Sequence, residues 1–320
     1  MRPLRLPVLP SVAAALIATA ACQGDAAAAP VTGPFEVIAA GNVTETLTRF
    51  DPVTGFSRGT FGPPLGAGPV DVVLDPSQAS VWVNVNDGTL RQFDLGTGSE
   101  LKRLDYSLAA LTFGDDGKLY ASDWNNRSVL RIDTTTGTSE TFVAPAAGGL
   151  YGPSGLTFHD DYLYVSSRVT GEVLRYDADT GAFHDTFASS PGNGPQHNTF
   201  GPDGNFYVAN DACNCVQRFD GDSGSFMDVF VTVSTGLSDG ANAAFGPDGN
   251  FYLSSWATGV IKFDAQGRYL DTLDMPWGVV GFTFAPSSIA APVPEAGVAW
   301  LWLAAMGIVP IGVARRKVRG

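Results

Sequence analysis

Two stretches, Asn198–Asn210 (NTFGPDGNFYVAN) and Ala243–Ser255 (AAFGPDGNFYLSS), are near-copies lying 45 residues apart. Each reads as a short strand, a tight turn on Asp-Gly and a second strand. The Asp side chain can accept backbone amides there, and Gly supplies the positive φ that the turn needs. Working outward, LTFGDDGKLYAS (Leu111–Ser122) and LTFHDDYLYVSS (Leu156–Ser167) are earlier versions of the same unit. A second phrase recurs as TRFDPVTG, RQFDLGTG, LRIDTTTG, LRYDADTG, QRFDGDSG and IKFDAQGR. Its aspartates are Asp51, Asp94, Asp133, Asp177, Asp220 and Asp264, spaced by 39 to 44 residues. A period near 40 built from short alternating strands is the mark of propeller blades.

The spacing predicts an all-β chain of six four-stranded blades. Strand A leads through the Asp-Gly turn to strand B, strand C ends in the R-F-D phrase, and a Thr-Gly turn leads into strand D, for example Phe183–Phe187. The two ends of the repeat complement each other. Phe35-Glu36-Val37-Ile38 is a strand B with no strand A before it, and Gly278–Phe284 is a strand A with no blade after it. Pairing the C-terminal strand into the first blade closes the ring and removes two exposed edges. These blades resemble the NHL-repeat and related six-bladed propellers, a resemblance that implies fold far more than activity.

Composition agrees: 38 Gly, 21 Pro and 16% charged residues suit many tight turns and exclude disorder or coiled coil. The net charge is −13, and six cations crowd the two ends (Arg2, Arg5, Arg315, Arg316, Lys317 and Arg319). Setting these aside with Asp25 and Glu295 leaves about −17 on the body, which excludes nucleic acid as a partner and disfavours anionic lipid.

Residues 1–29 read as a signal peptide: basic Arg2 and Arg5, an apolar run Val12–Ala21, then small residues through Ala29. Cys22 after Thr19-Ala20-Ala21 resembles a lipoprotein acylation site; the alternative is a cysteine lost on cleavage. The propeller is expected over 30–286, followed by a linker over 287–296. Gly297–Ala314 is apolar throughout, long enough for a membrane-crossing or sorting helix of about 27 Å, and carries Pro310. The basic tail 315–320 would stay in the cytoplasm. The order Val293-Pro294-Glu295, apolar span, Arg315-Arg316 resembles the PEP-CTERM sorting signal of Gram-negative envelope proteins, with Ala296 where that family usually has a second proline. The resemblance implies an exosortase-like protease as partner, an exported protein of the cell envelope or exterior, and a helix in the inner membrane at least transiently.

The A–B and C–D turns share one face and are near-copies from blade to blade, so their residues serve the turn. The D–A and B–C loops share the other face and differ between blades. Binding is therefore expected there, around the channel mouth. Its candidates are Trp124, Asn126, Arg127, Arg168, Asp211 and Trp256, a mixture that suits a glycan, a matrix polymer or a protein. An alternative comes from resemblance to virginiamycin B lyases and gluconolactonases, which implies a lyase or lactonase with a divalent cation such as calcium. Its residues here would be Asp71 and Asn242 as metal ligands and His197 as base, although the ring Val70, Ala109, Ser154, Gln196, Ala241 and Val280 carries no carboxylate. Cys213 and Cys215 are expected either to stiffen the fifth B–C loop as a disulfide or to remain thiols.

Overall fold

The computed structural model describes residues 31–190, 194–233, 242–273 and 278–287. Within them the chain forms six antiparallel four-stranded sheets, each a meander: blade 1 (279–286 with 35–61), blade 2 (69–105), blade 3 (111–143), blade 4 (153–189), blade 5 (195–232) and blade 6 (243–273). Blade 1 takes its strand A from the far end of the repeat. Val279–Pro286 pairs with Phe35–Gly41, setting Val37 opposite Phe284 and Ala39 opposite Phe282. The closure expected from the unmatched ends is therefore present. Among the described residues the sole helical piece is the 3-10 turn Ala147–Gly149, and no helix is long and apolar enough to cross a membrane. The signal segment with Cys22, the Val293–Glu295 motif, the apolar span 297–314 and Arg315–Arg316 all lie outside the described residues.

Position in the blade decides burial. Strand B is enclosed on both faces, as in Leu119–Asp123 and Phe251–Ser255, whereas strand D is an outer edge, as in Glu100–Asp105. That edge carries Lys102, Arg103, Asp185 and Asp228, charges that discourage pairing with another chain.

One aromatic contact holds blade to blade. Tyr120, Tyr164, Tyr207 and Tyr252 of successive strands B meet Phe158, Phe200, Phe245 and Phe284 of the next strand A edge-on, at 4.7–5.1 Å between ring centres. The Tyr252–Phe284 pair makes this contact across the closure itself. Where the turn aspartate is present it receives the phenol: Tyr120 donates to Asp116, Tyr207 to Asp203 and Tyr252 to Asp248, at 2.9–3.0 Å. Burial pushes the phenols of Tyr120 and Tyr207 up to about 12.

Neighbouring blades share no ladder, so side chains bridge strand B of one blade to strand A of the next. Ser254 donates to the Val280 carbonyl at 2.9 Å, and Asn198 donates to the Ser166 hydroxyl at 2.8 Å. The arginine of the R-F-D phrase is equally structural: Arg175 pairs with Asp185 across to strand D and lies 4.7 Å over the Tyr162 ring. Each phrase aspartate caps its own turn. Asp133, for instance, accepts the amides of Thr135 and Thr136 at 2.8 and 2.9 Å, while Gly137 takes φ 78°.

Candidate functional site

Aligning the six strands B by register places one residue from each blade at the first position of the B–C loop: Asn42, Asn86, Trp124, Arg168, Asp211 and Trp256. A strand is a rigid stem held on both sides, so these residues are aimed at the channel mouth by elements that do not bend. Five of them, all but Asp211, line one cavity of about 540 Å³. Its inner wall is the expected strand-A ring, with Val70, Ala109, Ser154, Gln196 and Val280 present and Ala241 outside the described residues.

Blades 3 and 6 stand opposite each other in a ring of six, so Trp124 and Trp256 approach the cavity from opposite sides. Trp124 is 39% exposed and rests against Gly152, where an added Cβ would come within 2.8 Å of the indole. Trp256 is half-buried and packs on the core cluster of blades 1 and 2. Between them Arg168 lies 5.8 Å over the Trp124 ring and forms an ion pair with Asp211. Gln196 donates to the same Asp211 carboxylate at 3.1 Å. Arg168, Gln196 and Asp211 thus form one chain of contacts across blades 4 and 5, and the charges cancel locally.

The floor of the cavity is a second diametric pair. Asp71 of blade 2 and His197 of blade 5 approach across the axis to 3.9 Å, with both side chains largely buried. The channel narrows at this level because strands A come close: a Cβ on Gly155 would lie 2.6 Å from the His197 Cα, and one on Gly281 would lie 2.7 Å from the Asp71 carboxylate. A larger cavity of about 990 Å³ opens on the turn face, bordered by Phe113, Phe200, Phe245 and Phe284, and among the described residues shares no lining with the mouth.

The structure therefore gathers Trp124, Arg168, Asp211 and Trp256 around one opening and sets His197 and Asp71 beneath them. Asn126 and Arg127 stand apart from it. Asn126 is tied through its amide and backbone to Asp123, at 2.7 and 3.0 Å, and Arg127 covers the Tyr151 ring at 4.1 Å. Asn242 does not line the cavity; its side chain donates to the Phe282 carbonyl at 3.2 Å and so binds blade 6 to blade 1. Cys213 and Cys215 form a disulfide with Cα atoms 5.2 Å apart, in the loop that follows Asp211. The sequence reading overlooks Asn42 and Asn86, because their blades lack the Tyr-rich strand-B phrase. Counting five residues on from Val37 and Val81, as Asp211 follows Phe206, would have found them.

Calcium seeks six to eight oxygens, and the floor fits it poorly. Each Asp71 carboxylate oxygen already accepts a backbone amide, from Val72 at 2.9 Å and Leu111 at 2.8 Å, and the facing group is an imidazole. Among the described residues no three His, Cys, Asp or Glu side chains converge as a metal-binding group.

A family model described as a repeat of unknown function (DUF6923) matches residues 72–217. No curated protein matches the chain. Among solved structures, one titled as a nidogen/laminin complex superposes with a TM-score of 0.66 at 15% identity, covering 80% of this chain and 100% of that one. A protein of unknown function from Bacteroides caccae gives 0.60 at 13% identity over 80% and 100%. Virginiamycin B lyase from Staphylococcus aureus gives 0.54 at 17% identity over 85% and 87%. At such identities these likenesses establish a six-bladed β-propeller and leave its activity to be argued from the mouth.

Proposed function

We propose that the chain is an exported binding module of the cell envelope, which takes a glycan, matrix polymer or protein at the channel mouth. The observation that carries this is the facing pair Trp124 and Trp256 around a cavity of mixed apolar and polar lining, on the face where blades differ. A propeller in a nidogen/laminin complex is a precedent for a partner-binding role. The test is a binding screen of the purified chain against glycans, matrix polymers and envelope proteins. Trp124→Ala or Arg168→Ala should weaken the captured ligand at least tenfold. Capture that neither substitution disturbs removes the mouth from the reading.

The second reading is a lyase or lactonase in which His197 acts as base, favoured by the Asp71–His197 contact and the likeness to virginiamycin B lyase. The chemistry available is proton abstraction by the imidazole, with the Asp71 carboxylate 3.9 Å away. With one carboxylate facing an imidazole, the floor is a poor fit for a divalent cation. Under this reading His197→Ala abolishes turnover while binding persists; under the binding reading there is no turnover to lose.

The signal segment, Val293-Pro294-Glu295, the apolar span and Arg315-Arg316 support a route: export, transient insertion in the inner membrane, then release by an exosortase-like protease. Intact mass of the protein from its native host tests this. Loss of 297–320 is expected, and a mature form keeping Arg315 and Arg316 in the inner membrane would indicate a permanent anchor.

A further inference from the structure

The described wall of the mouth narrows like a cup to a floor where Asp71 and His197 meet, and this limits what can enter it. Resting on the mouth-binding reading above, we propose that the cup receives the terminal residue of a neutral glycan end-on, seated between Trp124 and Trp256 and stopped by the Asp71–His197 floor.

Charge sets the ligand class. Among the described wall residues the one cation is Arg168, and it is paired with Asp211, which also receives Gln196, so none is in surplus for a phosphate, sulfate or uronate. For an ammonium group, the single carboxylate on the described wall is Asp71, which lies at the floor facing His197, so the upper wall offers a cation no anionic partner. The acidic body further repels anionic polymers. What the cup offers is two indole surfaces on opposite sides and scattered neutral polar groups from Asn42, Asn86, Ser154 and Gln196. A pyranose matches that pattern, with apolar C–H faces for the rings and equatorial hydroxyls for the amides.

Depth sets the mode of entry. Polymer threading would need an open channel, yet among the described residues the upper and lower cavities share no wall residue, and the Asp71–His197 pair forms the floor of the upper one. A volume of about 540 Å³ lies in the lower half of the range for small-ligand pockets and leaves room for a terminal unit with part of its neighbour. An internal stretch of chain running across the mouth would miss the floor.

Calorimetry on the full chain can test this with neutral linear oligosaccharides of two to six units, in several linkages, beside cyclic glucans of the same linkage that have no ends. The linear sugars should bind at least tenfold more tightly than their cyclic counterparts, and affinity should level off beyond the disaccharide. Trp124→Ala should weaken linear binding tenfold or more. Trp256→Phe should keep the fold and most of the affinity, while Trp256→Ala loses it. Equal binding of cyclic and linear sugars, or affinity that climbs with each added unit, overturns end-on entry and leaves the mouth as the site. Sugar binding unchanged by both Trp→Ala variants overturns the mouth reading itself. Capture of peptides with no sugar in the panel bound overturns the glycan assignment.

Discussion

The two faces of this propeller obey different rules. On the turn face the same side chains recur and meet the same partners: Asp116, Asp203 and Asp248 each hold a strand-B tyrosine. The C–D aspartates likewise each cap their own loop. On the mouth face the corresponding position reads Asn, Asn, Trp, Arg, Asp and Trp around the ring. A residue that answers a need of blade geometry recurs from blade to blade, as the Asp–Tyr pair does in three of the six, because the blades pose the same problem. A residue free of that requirement can differ, and the differing set surrounds the cavity. Repetition within one chain therefore separates scaffold from site.

Removing residues 279–287 is the harshest test of the scaffold side, since it strips strand A from blade 1 and reopens the ring. It should abolish cooperative unfolding in a denaturant titration. A shortened chain that still unfolds in one sharp transition would show that the closure is dispensable. Tyr207→Ala comes next: the ring is buried among Phe230, Phe245 and Phe251. Truncation should cost about 3–5 kcal/mol in the same titration, with ligand affinity unchanged at sub-denaturing conditions.

The contrast sharpens when similar truncations are placed on opposite faces. Asp203→Ala and Asp248→Ala should each lower stability by about 1 kcal/mol and leave binding alone. Trp124→Ala should do the reverse, losing binding with stability within about 0.5 kcal/mol of the parent. A Trp124→Ala protein that binds normally but unfolds early would place Trp124 with the scaffold.

The smallest effect per residue is electrostatic. The Lys118 ammonium and its own turn amides hold Asp133 down to about 2, and Asp177 and Asp220 are lowered by the Thr180 and Ser223 hydroxyls and amides. Groups depressed in this way stabilise the fold above their unfolded value of 3.8 and lose that contribution as pH falls through the folded value. The melting temperature should therefore hold down to about pH 4 and decline toward pH 2. Asp133→Asn should flatten part of that decline, and an unaltered profile would mean that the turn carboxylates contribute nothing.

Much of this was legible in the chain. The six R-F-D phrases set the blade number, and the unmatched strands at Phe35 and Gly278 announced the closure. Trp124, Arg168, Asp211 and Trp256 stood out because they broke a repeat. Asn42 and Asn86 did not, since the phrases around them are degenerate and no repeat frames them. Asn126 and Arg127 looked like site residues because they are polar and adjacent to Trp124. Their orientation depends on a turn capped by Asp123, and neighbours in a tight turn point different ways.

The sequence by itself determined the period, the strand order and the division into a repeated face and a variable one, since these rest on local patterns of apolar residues, Gly and Asp. Only the tertiary structure decided which variable residues meet. Trp124 and Trp256 are 132 positions apart in sequence, and Asp71 and His197 are 126 apart, yet each pair faces across one axis. Ring closure fixes those pairings: in six blades, residues three blades apart become opposites, a relation no local spacing encodes. It likewise set the Asp71 oxygens against the Val72 and Leu111 amides, so that this carboxylate ties blade 2 to blade 3.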